Sequence, residues 1–216
     1  MQLILIKKED LTPTVKSYTF KPELPFVFEP GQFVMLKQVG AEQKFARAFS
    51  IVSEKESDDI VFIMKHNPVG HVSGFLATAE IGTAIETGAP VGRFILNPTD
   101  TDRVFVATGT GLAPIVSFFN SKNISTAPHT TIFGVRHEDD IFWADRLPEN
   151  SLITLSQPTD SWTSLRGRVT AHIDELISKH PHAAWYMCGN PEMVSEVRAK
   201  LVSAGVEKTA IHFEIY

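Results

Sequence analysis

The chain has 216 residues, 43% apolar and 21% charged, with a net charge of −5 at pH 7. That length holds one large domain or two small ones, and the balance is that of a globular protein, not a disordered one. The acidic charge argues against nucleic acid as the main partner, no apolar run reaches the roughly 18 residues of a membrane span, and the single cysteine, Cys188, excludes an internal disulfide and a Cys-rich metal site.

The first residues lack a basic leader followed by a long apolar core, so no signal peptide is expected and a cytoplasmic location is the default. To about Asn97 the pattern is β. Residues 3–6 form a strand, Val15, Tyr18 and Phe20 continue with mixed alternation, and Pro22, Pro25 and Pro30-Gly31 interrupt. Residues 32–36, 48–52 and 60–65 are further strands, and a last pair covers 84–86 and 93–96. Short strands broken by Pro, Gly and Asp predict an antiparallel barrel or sandwich, with one helix over 72–79.

The polar, proline-containing segment 97–102 marks a domain boundary. Beyond it strands are predicted at 103–107, 130–135, 152–155, 184–188 and 210–215. Helices are predicted at 112–121, 169–179 and 192–204, with a short one near 143–146. This alternation predicts a parallel sheet with helices on both faces, whose ligands bind at the carboxyl ends of the strands. Gly109, Gly134 and Gly189 all follow strands at that edge.

Five stretches carry candidate chemistry. In Thr108-Gly109-Thr110-Gly111-Leu112-Ala113-Pro114 a strand passes through a glycine turn into a helix. Glycine lets a ligand approach the backbone, and the helix start offers unpaired N–H groups; a tight turn with nothing bound fits equally. Arg47-Ala48-Phe49-Ser50 puts Arg47 and Phe49 on one side of a strand and Ser50 on the other. A guanidinium suits phosphate and a flat ring suits a flat cofactor, while the same pattern fits a surface Arg and a core Phe. Gly70-His71-Val72-Ser73 precedes a helix, with Ser73 either an N-cap or part of a second phosphate cradle. Cys188-Gly189-Asn190-Pro191-Glu192-Met193 again runs strand, turn, helix, with Cys188 readable as a small buried residue. Arg136, after Gly134-Val135, either meets a phosphate or is simply solvated. Glu138-Asp139-Asp140 reads as a solvated turn, the eight histidines are scattered, and no metal is predicted.

Taken in order, PGQF (30–33), RAFS (47–50), GHVSGFL (70–76), GAPVGRF (88–94), GTGLAP (109–114), GVR (134–136), CGNPEM (188–193) and FEIY (213–216) resemble the ferredoxin–NADP reductase family over nearly the whole chain. The resemblance implies two domains. One is an N-terminal antiparallel six-stranded flavin β-barrel in residues 1–98; the other is a C-terminal α/β domain with a five-stranded parallel sheet, binding nicotinamide dinucleotide, in 99–216. It implies FAD, with NADPH or NADH, and hydride transfer between them. By the resemblance, Arg47 pairs with the flavin pyrophosphate and Phe49 stacks on the isoalloxazine, where the family usually has tyrosine. Ser50 meets the flavin N5 nitrogen, and Gly70, His71, Val72 and Ser73 hold the pyrophosphate, with Ala48 and Lys65 completing the FAD set. Thr108, Gly109, Thr110, Gly111, Pro114, Arg136, Gly189 and Met193 face the nicotinamide dinucleotide. Cys188 and Glu214 match residues beside the nicotinamide, and Tyr216 matches a displaceable terminal aromatic over the flavin.

NADP-specific relatives often carry Ser-Arg after the third strand of the second domain, where this chain has Ser156-Gln157. Arg166 or Arg168 would supply the missing charge instead; the plant-type relatives as a class lean the expectation to NADPH, and Gln157 keeps NADH open. A ferredoxin or flavodoxin is the implied electron partner, a free-flavin or quinone reductase the alternative, and a monomer is expected. The first 98 residues carry ten Lys and Arg against eleven Asp and Glu, so an acidic partner would need Lys7, Lys8, Lys16, Lys37 and Lys44 to cluster in space.

Overall fold

The computed structural model describes residues 1–121 and 128–215. They fall into two compact units, Met1–Leu96 with Val116–Ser121, and Asn97–Ile115 with the described residues of Lys122–Tyr216.

The first unit contains β1 (Gln2–Asp10), β2 (Val15–Pro22), β3 (Phe33–Gln38), β4 (Arg47–Ser50), β5 (Ile60–Lys65) and β6 (Ala84–Thr87). They pair antiparallel in the order β4-β3-β6-β1-β2-β5. The two end strands meet just beyond β4, where the Val52 N–H donates to the Val61 carbonyl at 2.9 Å and the Val61 N–H to Ser53 Oγ at 2.7 Å. The sheet thereby closes into a six-stranded barrel, which removes its free edges. A register shift in β1 between Leu5 and Lys7 accounts for the mixed alternation of β2: Val15 and Ser17 are buried, and then Tyr18 and Phe20. Leu3, Leu5, Tyr18, Phe20, Val34, Leu36, Phe62 and Ile85 fill the barrel, joined by Leu76 of α1 (Ser73–Thr78).

The second strand of the expected last hairpin, 93–96, does not form. Val91 makes a single bridge to Phe33, and the chain then turns at Gly92 (φ +114°) and leaves the sheet. β4 lies along Phe33–Leu36 and β6 along Leu36–Gln38, so the side of β3 that faces Val91 is open only over its first residues, and the turn at Gly92 carries the chain away after one bridge.

In the second unit β7 (Arg103–Thr108), β8 (His129–Val135), β9 (Leu152–Leu155), β10 (Leu165–Arg166), β11 (Ala184–Gly189) and β12 (Ile211–Ile215) form one parallel sheet, ordered β10-β9-β8-β7-β11-β12. It has six strands where five were expected. The additional strand, β10, is two residues long, too short to show any periodicity, and its pairing with Thr154 and Leu155 exists only once the chain has returned to the sheet edge. The helices are α2 (Leu112–Phe119), α3 (Ile173–Lys179) and α4 (Pro191–Ser203). Val104, Val106, Ile132, Trp185 and Met187 of the sheet pack with Ile173, Leu176, Val194, Val197 and Leu201 of α3 and α4. The helix expected from 169 begins as a 3-10 turn, Val169–His172, before α3 proper, and the short helix near 143–146 is a 3-10 turn over Ala144–Arg146. The segment after Leu96 is tied to the second sheet: the Asn97 N–H donates to the Tyr186 hydroxyl at 2.8 Å, and that hydroxyl donates to Asp100 Oδ2 at 2.5 Å. No described helix is long and apolar enough to cross a membrane, and no group of three potential metal-ligating side chains occurs among the described residues.

Candidate functional site

In the second unit two strand–turn–helix junctions lie side by side at the carboxyl ends of β7 and β11. The first passes from Thr108 through a 3-10 turn, Gly109–Gly111, into α2. Gly109 has φ +52° and nothing within 4 Å of where a β-carbon would sit, so its backbone lies open to an approaching ligand. Pro114 is the third residue of α2, where its missing N–H costs no helical bond. The second junction runs from Cys188 and Gly189 (φ +143°) into α4, whose cap, Asn190, accepts the Glu192 N–H at 2.8 Å. The Asn190 N–H in turn donates to Thr108 Oγ1 at 3.2 Å. The junctions are matched in shape, since a β-carbon on Gly189 would collide with Thr108 and one on Gly111 with the Cys188 carbonyl. Met193 is buried under the first turn of α4.

Cys188 and Glu214 are register partners on the adjacent strands β11 and β12. The thiol is fully buried, and burial, then the neighbouring Glu214 carboxylate, push its pKa well up against the opposing pull of the Gly189 backbone N–H. It is therefore a neutral group beside a half-buried carboxylate. Tyr216 lies outside the described residues.

The remaining candidates of this unit sit at the ends of β8, β9 and β10. Arg136 is exposed, and its carbonyl accepts the Gln157 N–H at 2.9 Å, while the Ser156 N–H donates to Val135 at 3.1 Å. His137 Nδ1 donates to the Gln157 carbonyl at 2.8 Å. The Arg166 guanidinium is committed to the intervening loop, donating through Nη2 to the carbonyls of Thr159 (3.0 Å), Asp160 (3.2 Å) and Trp162 (2.7 Å). Arg168 is exposed and its side chain makes no hydrogen bond or ion pair among the described residues. Glu138 accepts from the Thr159 hydroxyl and N–H at 2.6 and 2.9 Å, and the hydroxyl holds its carboxyl below the ordinary range.

In the first unit, β4 carries Arg47 and Ala48 exposed, Phe49 partly buried against the barrel core and Ser50 buried. The Arg47 guanidinium donates to the carbonyls of Lys44 (3.1 Å) and Ala46 (2.8 Å). Lys65 is exposed at the end of β5. Gly70 precedes α1, and its carbonyl accepts the Gly74 N–H. Ser73 is not the N-cap: Val72 holds that position without a side-chain bond, and Ser73 Oγ reaches back to the Asn67 carbonyl at 3.5 Å. The chain enters α1 through Val72 already in helical geometry, so the serine falls one residue inside. The His71 ring lies 4.4 Å from that of Phe45, and Gln38 Nε2 donates to the His71 carbonyl at 2.8 Å. A cavity of about 360 Å³ opens here, lined by Gln38, Gly40, Ala41, Glu42, Phe45 and His71. Sequence reasoning passed over Phe45; the signal was present, an aromatic ring two residues before Arg47 in the same alternation as Phe49.

Both units fit a dinucleotide, the first by an aromatic cavity beside an arginine-bearing strand, the second by a glycine turn open at Gly109. Residues 2–95 match the family model for the oxidoreductase FAD-binding domain, and residues 105–199 that for the oxidoreductase NAD-binding domain. Ferredoxin–NADP reductase B of Sorangium cellulosum is 33% identical over 98% of this chain and 96% of its own length. The toluate 1,2-dioxygenase electron transfer component of Pseudomonas putida is 28% identical over 87% of this chain and 58% of its own length, so this chain spans well under two thirds of that relative. The structure of a ferredoxin NADP+ reductase from Neisseria gonorrhoeae with bound FAD and NADP shares the fold, with a TM-score of 0.86, 21% identity and coverage of 100% of this chain and 98% of that one. The two domain models and a full-length relative at one third identity establish that this chain belongs to the ferredoxin–NADP reductase family, with an FAD-binding and an NAD-binding domain.

Proposed function

We propose that this chain is an NAD(P)H-dependent flavoprotein reductase that passes electrons singly to a ferredoxin or flavodoxin. The observation that supports the reading most is the pair of matched junctions at the ends of β7 and β11, with Cys188 and Glu214 in register beside them. Bound FAD would supply the redox chemistry, taking an electron pair from reduced nicotinamide and releasing electrons one at a time. The chain's own residues bind and orient. Arg47 and Gly70 to Ser73 are assigned to the FAD pyrophosphate, Ala48, Phe49, Ser50 and Lys65 to the flavin end, and the Phe45–His71 cavity to the adenosine end. Gly109 to Pro114, Arg136 and Gly189 are assigned to the nicotinamide dinucleotide. The neutral Cys188 thiol adds no charge beside the nicotinamide ring, and the Glu214 carboxylate favours its cationic oxidised form over the neutral reduced one.

An anaerobic titration of the purified protein with NADPH and, separately, NADH tests this reading. The expected result is bleaching of the flavin absorbance by one coenzyme at far lower concentration, followed by reoxidation on adding ferredoxin. Failure of both coenzymes to reduce bound flavin rejects the assignment.

The lysines favour a second reading, a reductase of free flavin or quinone. Lys7, Lys16, Lys37 and Lys44 are each ion-paired, with Glu9, Asp10, Glu86 and Glu42, and Lys8 donates to the Ala79 carbonyl at 2.5 Å. Four of these five lysines are thus paired with carboxylates, which leaves Lys8 alone of them without a counter-charge among the described residues to meet an acidic partner. Loss of flavin on gel filtration, with turnover of added flavin, would decide for it.

A further inference from the structure

Two residues outside the candidate set hold the turn that carries Arg166 and Arg168. That turn passes through Gly167 at φ +104°, a conformation that side chains rarely adopt and glycine takes freely, so its position is set by the bonds made to it. The Gly167 N–H donates to the Leu155 carbonyl at 2.8 Å, which fixes one edge. The other edge is fixed by side chains. Thr154 Oγ1, fully buried in β9, donates to the Gly167 carbonyl at 2.8 Å. His172 Nε2 lies 3.1 Å from both Thr154 Oγ1 and the Arg166 carbonyl. A carbonyl only accepts, and the single threonine proton is already given to Gly167. Nε2 therefore carries a hydrogen, shared between the Arg166 carbonyl and the threonine lone pair.

The consequence reaches the exposed arginine. Nη2 of Arg166 is tied to the carbonyls of the 159–162 loop, whereas the exposed Arg168 side chain has no hydrogen bond or ion pair among the described residues, so of the two Arg168 is the one not held in place by the loop. We propose that His172, acting through Thr154, is a positioning residue for the coenzyme: it holds the Arg166-Gly167-Arg168 turn so that Arg168 presents its charge to a phosphate on the adenosine half of NADPH. This rests on the nicotinamide-dinucleotide reading above.

The test uses the full-length flavoprotein, with KM and kcat measured for NADPH and NADH in wild type, His172→Ala, His172→Gln, Thr154→Val, Thr154→Ser, Arg168→Ala and the His172→Ala/Arg168→Ala double variant. Removing the clamp is expected to raise KM for NADPH by about tenfold, the size of one charge-assisted hydrogen bond, with kcat unchanged. His172→Gln and Thr154→Ser, which keep a donor or a hydroxyl, should recover most of the affinity. In the Arg168→Ala background, His172→Ala should add nothing, because its effect runs through Arg168. An unchanged KM in the folded His172→Ala protein, a fall in kcat alone, or additive effects in the double variant would overturn the proposal. If His172→Ala does not fold, the comparison of Thr154→Val with Thr154→Ser decides it, equal KM values counting against. Absence of turnover in wild type with either coenzyme would instead defeat the underlying reading.

Discussion

Gly111 and Cys188 pack backbone against backbone: a β-carbon at position 111 would lie 2.5 Å from the Cys188 carbonyl carbon and 2.6 Å from Gly189 Cα, and would overlap the Cys188 oxygen. No side chain can swing away to relieve this, because all three atoms are main chain. Gly111→Ala should push the two junctions apart, lowering stability by about 1–3 kcal/mol, as overpacking in a tight interior does. Urea denaturation and coenzyme titration check it; the expected outcome is retained FAD with weakened NAD(P)H binding.

Ser50 is buried at the end of β4, the strand assigned to the flavin. Ser50→Ala should keep FAD bound but slow flavin reduction by roughly 10²-fold, the usual loss when a positioned polar group is removed. Stopped-flow absorbance under anaerobic NADPH measures this directly, and an unchanged rate rejects the role assigned to the hydroxyl.

The Cys188 thiol is held in its protonated form by burial and by Glu214. In the native protein a thiol reagent such as DTNB should react far more slowly than in guanidinium chloride, because reaction requires both access and thiolate. Labelling at native pH 8 as fast as in the unfolded chain would contradict both the burial and the neutral state.

His212 stacks on Tyr186 with ring centroids 4.4 Å apart, and its Nε2 is buried without a hydrogen-bond partner among the described residues. Burial lowers its pKa, with Asp100 pulling the other way. The folded state therefore binds the proton less readily than the unfolded one. Stability is complete above the unfolded value of about 6.5 and falls as pH drops through the window below it. His212→Phe keeps a ring against Tyr186 and removes the titration. Urea melts at pH 5, 6 and 7.5 should show a smaller acid-side loss in the variant and no loss of stability at pH 7.5.

How much was readable in advance follows from the length scale of each interaction. The glycine junction 108–114 was legible because strand, turn and helix are local and their residue types are restricted. Residues 93–96 looked like a strand because Phe94-Ile95-Leu96 is a short apolar run, yet such a run does not say whether the chain stays beside a partner, and after the single Val91–Phe33 bridge the turn at Gly92 takes it off the sheet. Thr154 and His172 carried no signal, since a threonine in a strand and a histidine before a helix are ordinary until Gly167 is brought between them. Arg166 and Arg168 were equivalent in sequence; the loop carbonyls that engage one and not the other separate them.

The amino-acid sequence alone determined the two-part organisation, the change from β to alternating α/β near residue 97, the position of each glycine turn and the family resemblance. These depend on periodicity, chain direction and backbone sterics within a few residues of each other. Only the tertiary structure decided that the barrel closes through Val52 and Val61, that a sixth parallel strand forms at Leu165–Arg166, and that Cys188 is a neutral thiol beside Glu214. Each of these depends on groups distant in the chain, whose hydrogen bonds, desolvation and charge act only once folding has set them side by side.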